Sequence, residues 1–230
     1  MKNISILGDS ITKGIVLDDS KYRRLDTSFV NMFGEKTKCA INNLSLFGCT
    51  VTKGLQIFDR QQKKIQSSDI VLTEFGGNDC DFDWGAISEN PDGSFEPNTS
   101  PDTFLAYYEN IIKKLLDEKK KTVILNLPPL DDEKYFKWIS RGRNADNILH
   151  WLGGSTRYIY RWHEMYSNAL YSIAADMRVP LIDIRSEFLR LKNYSDYLCE
   201  DGIHPNAAGH RLIYNKIFET AKLHNIAVQA

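Results

Sequence analysis

Little in this sequence points to a large or charged partner. Basic and acidic side chains almost cancel, 29 against 30, for a formal net charge of -1. Such a chain carries no general field to draw in nucleic acid or an anionic membrane surface, so neither is expected as a partner. No run of about 18 apolar residues occurs, and no membrane span is expected. At the N-terminus Lys2 precedes a very short apolar run that meets Asp9 almost at once, so no signal-peptide apolar region is expected in this stretch. Cysteines number 4, Cys39, Cys49, Cys80 and Cys199, and none is spaced as CxxC. Zinc sites and disulfide frameworks are therefore not expected; separate reduced thiols in a cytoplasmic protein are. Internal repeats and low-complexity linkers are lacking too. The chain is read as one domain over residues 1–230, long enough to bury a sizeable core.

What is present is an alternation. Apolar runs of strand length lie at 4–7, 39–44, 70–75, 123–127 and 181–184. Helical patterns lie between them. Phe104, Leu105, Tyr108, Ile111, Ile112, Leu115 and Leu116 form one apolar stripe at helical spacing. Ser100 suits the cap of that helix, Pro101 its first position, and Lys119, Lys120 and Lys121 its C-terminal dipole. A second long helix is expected over 157–178, ended by Val179-Pro180, and a last one after Asn206. Strands alternating with helices make a parallel sheet covered on both faces. The expected fold is α/β, a three-layer α/β/α sandwich with a five-stranded parallel sheet in the flavodoxin-like order 2-1-3-4-5. Two stretches, near 80–100 and 128–156, break the alternation and read as long loop insertions following the third and fourth strands, on the edge where such sheets bind ligands.

Four short motifs sit on that edge. Gly8-Asp9-Ser10-Ile11 ends the first strand and places a hydroxyl at its tip. A serine hydroxyl is a weak nucleophile without a base. Asp201-Gly202-Ile203-His204-Pro205-Asn206 offers one: Asp201 can curl back to the Nδ1 proton of His204 and leave Nε2 free. Gly76-Gly77-Asn78-Asp79 follows the third strand, and the Asn78 amide can donate to a developing oxyanion. Gly48, in Phe47-Gly48-Cys49-Thr50 after the second strand, can offer its backbone N–H to the same charge. Each motif alone reads equally well as an ordinary turn or cap. Together they converge: strands one and three are neighbours in this order, so Ser10 and Asn78 leave them side by side. The connection from Arg185 to His204 is long enough to bring the histidine back across about three strand spacings.

Gly8-Asp9-Ser10 with Gly14, then Gly48, then Gly77 to Asp79 around Asn78, then Asp201 and His204, resemble in order and position the four motif blocks of the SGNH (GDSL-like) hydrolases. The resemblance spans nearly the whole chain. It implies a serine esterase with a Ser10-Asp201-His204 triad, an oxyanion hole from the Ser10 and Gly48 N–H groups and the Asn78 amide, and no cofactor. Because no long apolar lid is obvious over the site, the preferred substrate is a small-molecule or carbohydrate ester of a short acyl chain. Longer acyl chains, as for a lysophospholipase or thioesterase, are the second reading, and a non-catalytic flavodoxin-like binding module is the third.

The remaining features are assigned sparingly. Asp79, Asp81 and Asp83 alternate like the start of a calcium loop, but Trp84 and Asn90 stand where Gly and Glu are needed, so no metal is expected. Phe82, Trp84, Tyr135, Phe136, Trp138, Trp151 and Tyr158 crowd the two long loops. Packing onto their own domain, substrate contact and a homo-oligomer interface all remain open for them. His150, His163, His210 and His224 receive no role.

Overall fold

The computed structural model describes residues 2–223; His224 lies outside them. In chain order the elements are β1 (Asn3–Gly8), α1 (Ser10–Lys13), β2 (Ile15–Asp18), β3 (Lys21–Arg24), α2 (Phe29–Thr37), β4 (Ala40–Asn43), α3 (Val51–Arg60), α4 (Gln62–Gln66), β5 (Ile70–Glu74), α5 (Trp84–Glu89) and α6 (Pro101–Asp117). They continue with β6 (Lys121–Leu125), α7 (Asp132–Ile139), α8 (Ala145–Trp151), α9 (Arg157–Asp176), β7 (Leu181–Ile182), α10 (Arg185–Leu189), a 3-10 turn at Tyr194–Tyr197 and α11 (Ala207–Leu223).

The main sheet is parallel and ordered β4-β1-β5-β6-β7. Counting only its own strands along the chain gives 2-1-3-4-5, the expected order. Alternation along each strand builds the layers. Ile4, Ile6, Ile70, Leu72, Val123 and Leu125 face α2 and α11, meeting Phe29, Val30, Phe33, Ile213 and Ile217. Leu7, Val71 and Ile124 face the other way onto α3, α6 and α9, meeting Val51, Phe58, Phe104, Ile111, Tyr166 and Leu170. The three-layer sandwich follows from that two-residue period. Gly8 pairs with Glu74 in the register, so β1 and β5 end level and release Ser10 and Asn78 on one edge.

The long helices form where expected. Ser100 caps α6 by accepting from the Thr103 N–H, with Pro101 in the first turn. Asn206 Oδ1 accepts from the N–H groups of Ala208 and Gly209 at the start of α11. β7 is shorter than the apolar run suggests. Its continuation is taken by a side chain: Asn126 Oδ1 accepts from the Ile184 and Arg185 N–H groups while its Nδ2 donates to Asp183.

Two stretches depart from the reading of 80–100 and 128–156 as loops. They contain α5, α7 and α8, started by Asp83, Asp131 and Asn144, whose side chains accept from Ala86, Lys134 and Asn147 N–H groups. Their rings and aliphatic chains make a separate core, with Phe82, Trp84, Ile87, Tyr135 and Ile148 buried together. Much of the loop aromatic content is thus spent on local packing. A further hairpin, β2–β3, turns through Asp19 and Ser20, both left-handed at φ 46 and 60. Among the described residues no helix is long and apolar enough to cross a membrane, and no group of three or more His, Cys, Asp or Glu could hold a metal ion.

Candidate active site

Ser10 opens α1 directly beyond the tip of β1. Asp9 fixes that turn: its Oδ1 accepts the Ile11 N–H at 2.8 Å. No larger residue fits before it, because a Cβ on Gly8 would lie 2.3 Å from Thr12 Oγ1 and 2.8 Å from the Glu74 carbonyl oxygen. Gly14 ends α1 in a left-handed turn at φ 79, with Ser28 Cβ 2.6 Å from where its own would be.

The C-terminal motif returns as the chain length allowed. Ser10 Oγ lies 2.9 Å from His204 Nε2, and His204 Nδ1 lies 2.7 Å from Asp201 Oδ2. Asp201 is fully buried, and its Oδ1 accepts the Ile203 and His204 N–H groups, each at 3.1 Å. Burial works against its charge, but the His204 ring and these N–H donors outweigh it and hold the carboxyl below the usual range. The segment is locked on both sides. Cys199 N–H donates to the His204 carbonyl at 2.8 Å, and Asp131 N–H donates to the Gly202 carbonyl at 2.8 Å. Gly202 itself is left-handed at φ 74, and a Cβ there would lie 2.6 Å from the Asp131 carbonyl oxygen.

Asn78 reaches the same cavity from β5, with its Nδ2 donating to Asp9 Oδ2 at 3.0 Å. A primary amide carries two hydrogens, so one remains for a second acceptor. Gly48 is left-handed at φ 67, and its N–H donates to no acceptor among the described residues. Its neighbour Phe47 lines the cavity. The turn that carries them is drawn in by Asp79, whose carboxylate accepts the Val51 N–H at 2.9 and 3.2 Å. Burial pushes the Asp79 carboxyl up to about 6. Cys49 is also buried, and burial with the nearby Asp9 and Asp79 charges pushes its thiol up to about 12. It is a packed, protonated thiol rather than a reactive one.

Three neighbours of this constellation escaped the sequence. The Phe47 ring stacks on the His204 ring, with centroids 6.0 Å apart and planes 7° from parallel. Tyr22, delivered by β3, lies 5.2 Å from the same imidazole. Nothing in the sequence links residue 22 to residue 204. Glu74, fully buried at the end of β5, faces Asp9, and burial together with the Asp9 charge drives its carboxyl well above the usual range. Its signal was visible as the one acid inside the apolar run at 70–75. Burial raises the Asp9 carboxyl as well, and the Ile11 N–H, Glu74, the His204 charge and the Asn78 amide work against that rise.

The cavity over Ser10 has a volume of about 380 Å³. A hydroxyl, an imidazole and a carboxylate at these distances can pass a proton along the series.

The sequence profile of the GDSL-like lipase/acylhydrolase family matches residues 6–212. The chain belongs to that family. It is accordingly an enzyme of the carboxylic ester hydrolase class, and all four motif blocks lie inside the matched span. No curated protein matches the sequence. Solved structures do. A lipase/acylhydrolase from Enterococcus faecalis is 21% identical, with 100% of both chains covered and a TM-score of 0.72. The acetyl xylan esterase AlAXEase is 20% identical over 95% of this chain and 98% of its own, with a TM-score of 0.62. The psychrotrophic esterase EstA from Pseudoalteromonas sp. is 17% identical over 98% of this chain and 99% of its own, with a TM-score of 0.63. At these identities the likeness is one of fold.

Proposed function

We propose that the protein is a serine esterase that removes a short acyl group, acetyl in the first instance, from a carbohydrate or other small polar alcohol. The observation that carries this reading is the 2.9 Å contact between Ser10 Oγ and His204 Nε2, with Asp201 on the far nitrogen. His204 takes the Ser10 proton as Oγ attacks the ester carbonyl. The Ser10 and Gly48 N–H groups and the free hydrogen of the Asn78 amide stabilise the oxyanion. His204 then gives its proton to the departing alcohol, and a water, deprotonated by the same imidazole, releases the acid and restores Ser10. Asp201 keeps the imidazole in the working tautomer and offsets its charge when protonated. A cytoplasmic setting belongs to the same proposal and rests on the four free thiols.

Longer acyl chains would use the same relay. The aromatic rings of the cavity favour them; the ionisable groups among those rings do not, because an alkyl chain leaves buried polar atoms without partners. An organophosphonate with a good leaving group tests the nucleophile. Phosphonylation should add the reagent's mass to the peptide containing Ser10 and be absent from Ser10→Ala. Labelling of that variant at equal rate would refute the assignment.

A further inference from the structure

The cavity over Ser10 contains two polar groups that this mechanism does not use. His163, on α9, is 6% exposed and lines it. Its Nδ1 lies 3.5 Å from an Arg185 guanidinium nitrogen. Arg185 is itself buried and held by Glu164 and the Pro128 carbonyl. A guanidinium has donors and no acceptor, so Nδ1 faces it as a lone pair and the ring proton sits on Nε2. Burial and the Arg185 charge push the imidazole well below its usual pKa, so it stays neutral. Nε2–H is therefore a donor of fixed tautomer, and no protein acceptor meets it among the described residues.

Asp81 is the counterpart. It lines the same cavity, and its Oδ1 accepts from Trp84 Nε1 at 2.7 Å and from the Tyr135 hydroxyl at 2.6 Å. The Phe82 N–H and the nearby Arg143 charge also act on this carboxylate, and no side chain among the described residues donates to its Oδ2. The two residues are tethered: Trp162 Nε1, one position before His163, donates to the carbonyl of Cys80, one position before Asp81, at 2.9 Å. Rings of Phe82, Trp84, Tyr158 and Trp162 surround them in the cavity wall.

A fixed donor and a fixed acceptor among aromatic faces suit one ligand chemistry well. A hydroxyl can both accept from His163 and donate to Asp81, and the C–H face of a sugar ring can lie on the aromatic rings. An alkyl chain in the same place would bury both groups unpaired. We infer that Asp81 and His163 form a polar subsite that binds hydroxyl groups of the alcohol portion of the substrate, so that the substrate is an ester of a sugar or similar polyol. This rests on the esterase reading of Ser10.

The test compares wild type, Asp81→Asn, His163→Phe and His163→Gln on monoacetates of methyl glucoside, galactoside and xyloside and on p-nitrophenyl acetate. The readout is the ratio of kcat/KM for each sugar ester to that for p-nitrophenyl acetate, which cancels any loss of folded enzyme. Asp81→Asn and His163→Phe should lower that ratio at least about 30-fold for the preferred sugar, chiefly through KM, with partial rescue in His163→Gln, which keeps an N–H donor. An unchanged ratio in both variants for all three sugars would overturn the inference. Trp84 and Trp162 in the wall allow a second readout in Ser10→Ala: quenching of tryptophan fluorescence by the unesterified methyl glycosides, weakened at least about tenfold by adding Asp81→Asn. Glycoside binding by an enzyme that hydrolyses no ester would remove the esterase reading and keep the subsite. Ester hydrolysis with no preference for sugar esters would do the reverse.

Discussion

Asp201 and Asn78 each make contacts that one substitution alters. Asp201→Asn keeps the shape but turns an acceptor toward His204 Nδ1 into a group that can stabilise the wrong tautomer; kcat should fall by about 10⁴. If Asn78 is the proposed oxyanion donor, Asn78→Ala should cost about 10²–10³ in kcat. Both are checked by steady-state turnover of p-nitrophenyl acetate beside thermal melts that confirm folding. Asp79 permits a pH prediction. Its folded carboxyl is raised from about 3.8 to about 6, so between those values the folded state holds a proton that the unfolded chain has released. The stability of wild type relative to Asp79→Asn should therefore decline as pH rises from about 4 to 6, by an amount on the order of 2–3 kcal/mol. The neutral buried His163 and His210 act with the opposite sign over their own range, which is why the comparison is made against the variant and not on the wild-type curve alone. At this scale Ser10, Asn78, Asp201 and His204 were readable because each stands beside a strand end or helix start that its own neighbours mark. Tyr22, Phe47 and Glu74 were not readable as a group, because what unites them is a meeting of three distant segments.

Single glycines carry much of the work at the level of elements. Gly202 and Gly48 are both left-handed, yet their surroundings differ. A Cβ at Gly202 would strike the Asp131 carbonyl at 2.6 Å, whereas at Gly48 nothing lies within 4 Å. Gly48→Ala should cost about 1 kcal/mol, the strain of the backbone alone. Gly202→Ala should cost at least about 2–4 kcal/mol, because it must also push the His204 segment from the start of α7. Urea unfolding midpoints of the two variants check the order, and turnover should suffer in Gly202→Ala. The helices the sequence did not reveal, α5, α7 and α8, span 6, 8 and 7 residues. That is about two turns or fewer, too short for a stripe at helical spacing to declare itself. Their Asp and Asn caps were visible only as polar loop residues. The β2–β3 hairpin was hidden for a related reason. Its turn uses Asp19 and Ser20 in conformations that Asn-Gly would have advertised.

For the whole molecule, the sheet order was legible because five short apolar runs alternate with helical stripes and right-handed parallel crossovers leave few arrangements. That order by itself puts Ser10 beside Asn78. The cap over the strand ends was not legible. Residues 80–100 and 128–156 fold onto each other, Trp84 meeting Tyr135 and Phe82 meeting Trp151 at 4.9 Å, and such pairing between insertions has no local sequence signature. The cap narrows the site to a cavity of about 380 Å³ with aromatic walls. The central claim, a Ser10-dependent relay under this cap acting on short acyl esters, is tested most directly by hydrolysis of p-nitrophenyl esters from acetyl to long-chain by wild type and Ser10→Ala side by side. Turnover that peaks at acetyl and vanishes in Ser10→Ala is the predicted result. Equal turnover by Ser10→Ala, in protein free of contaminating esterase, would contradict the relay, and a peak at long chains would contradict the short-acyl assignment while leaving the relay in place.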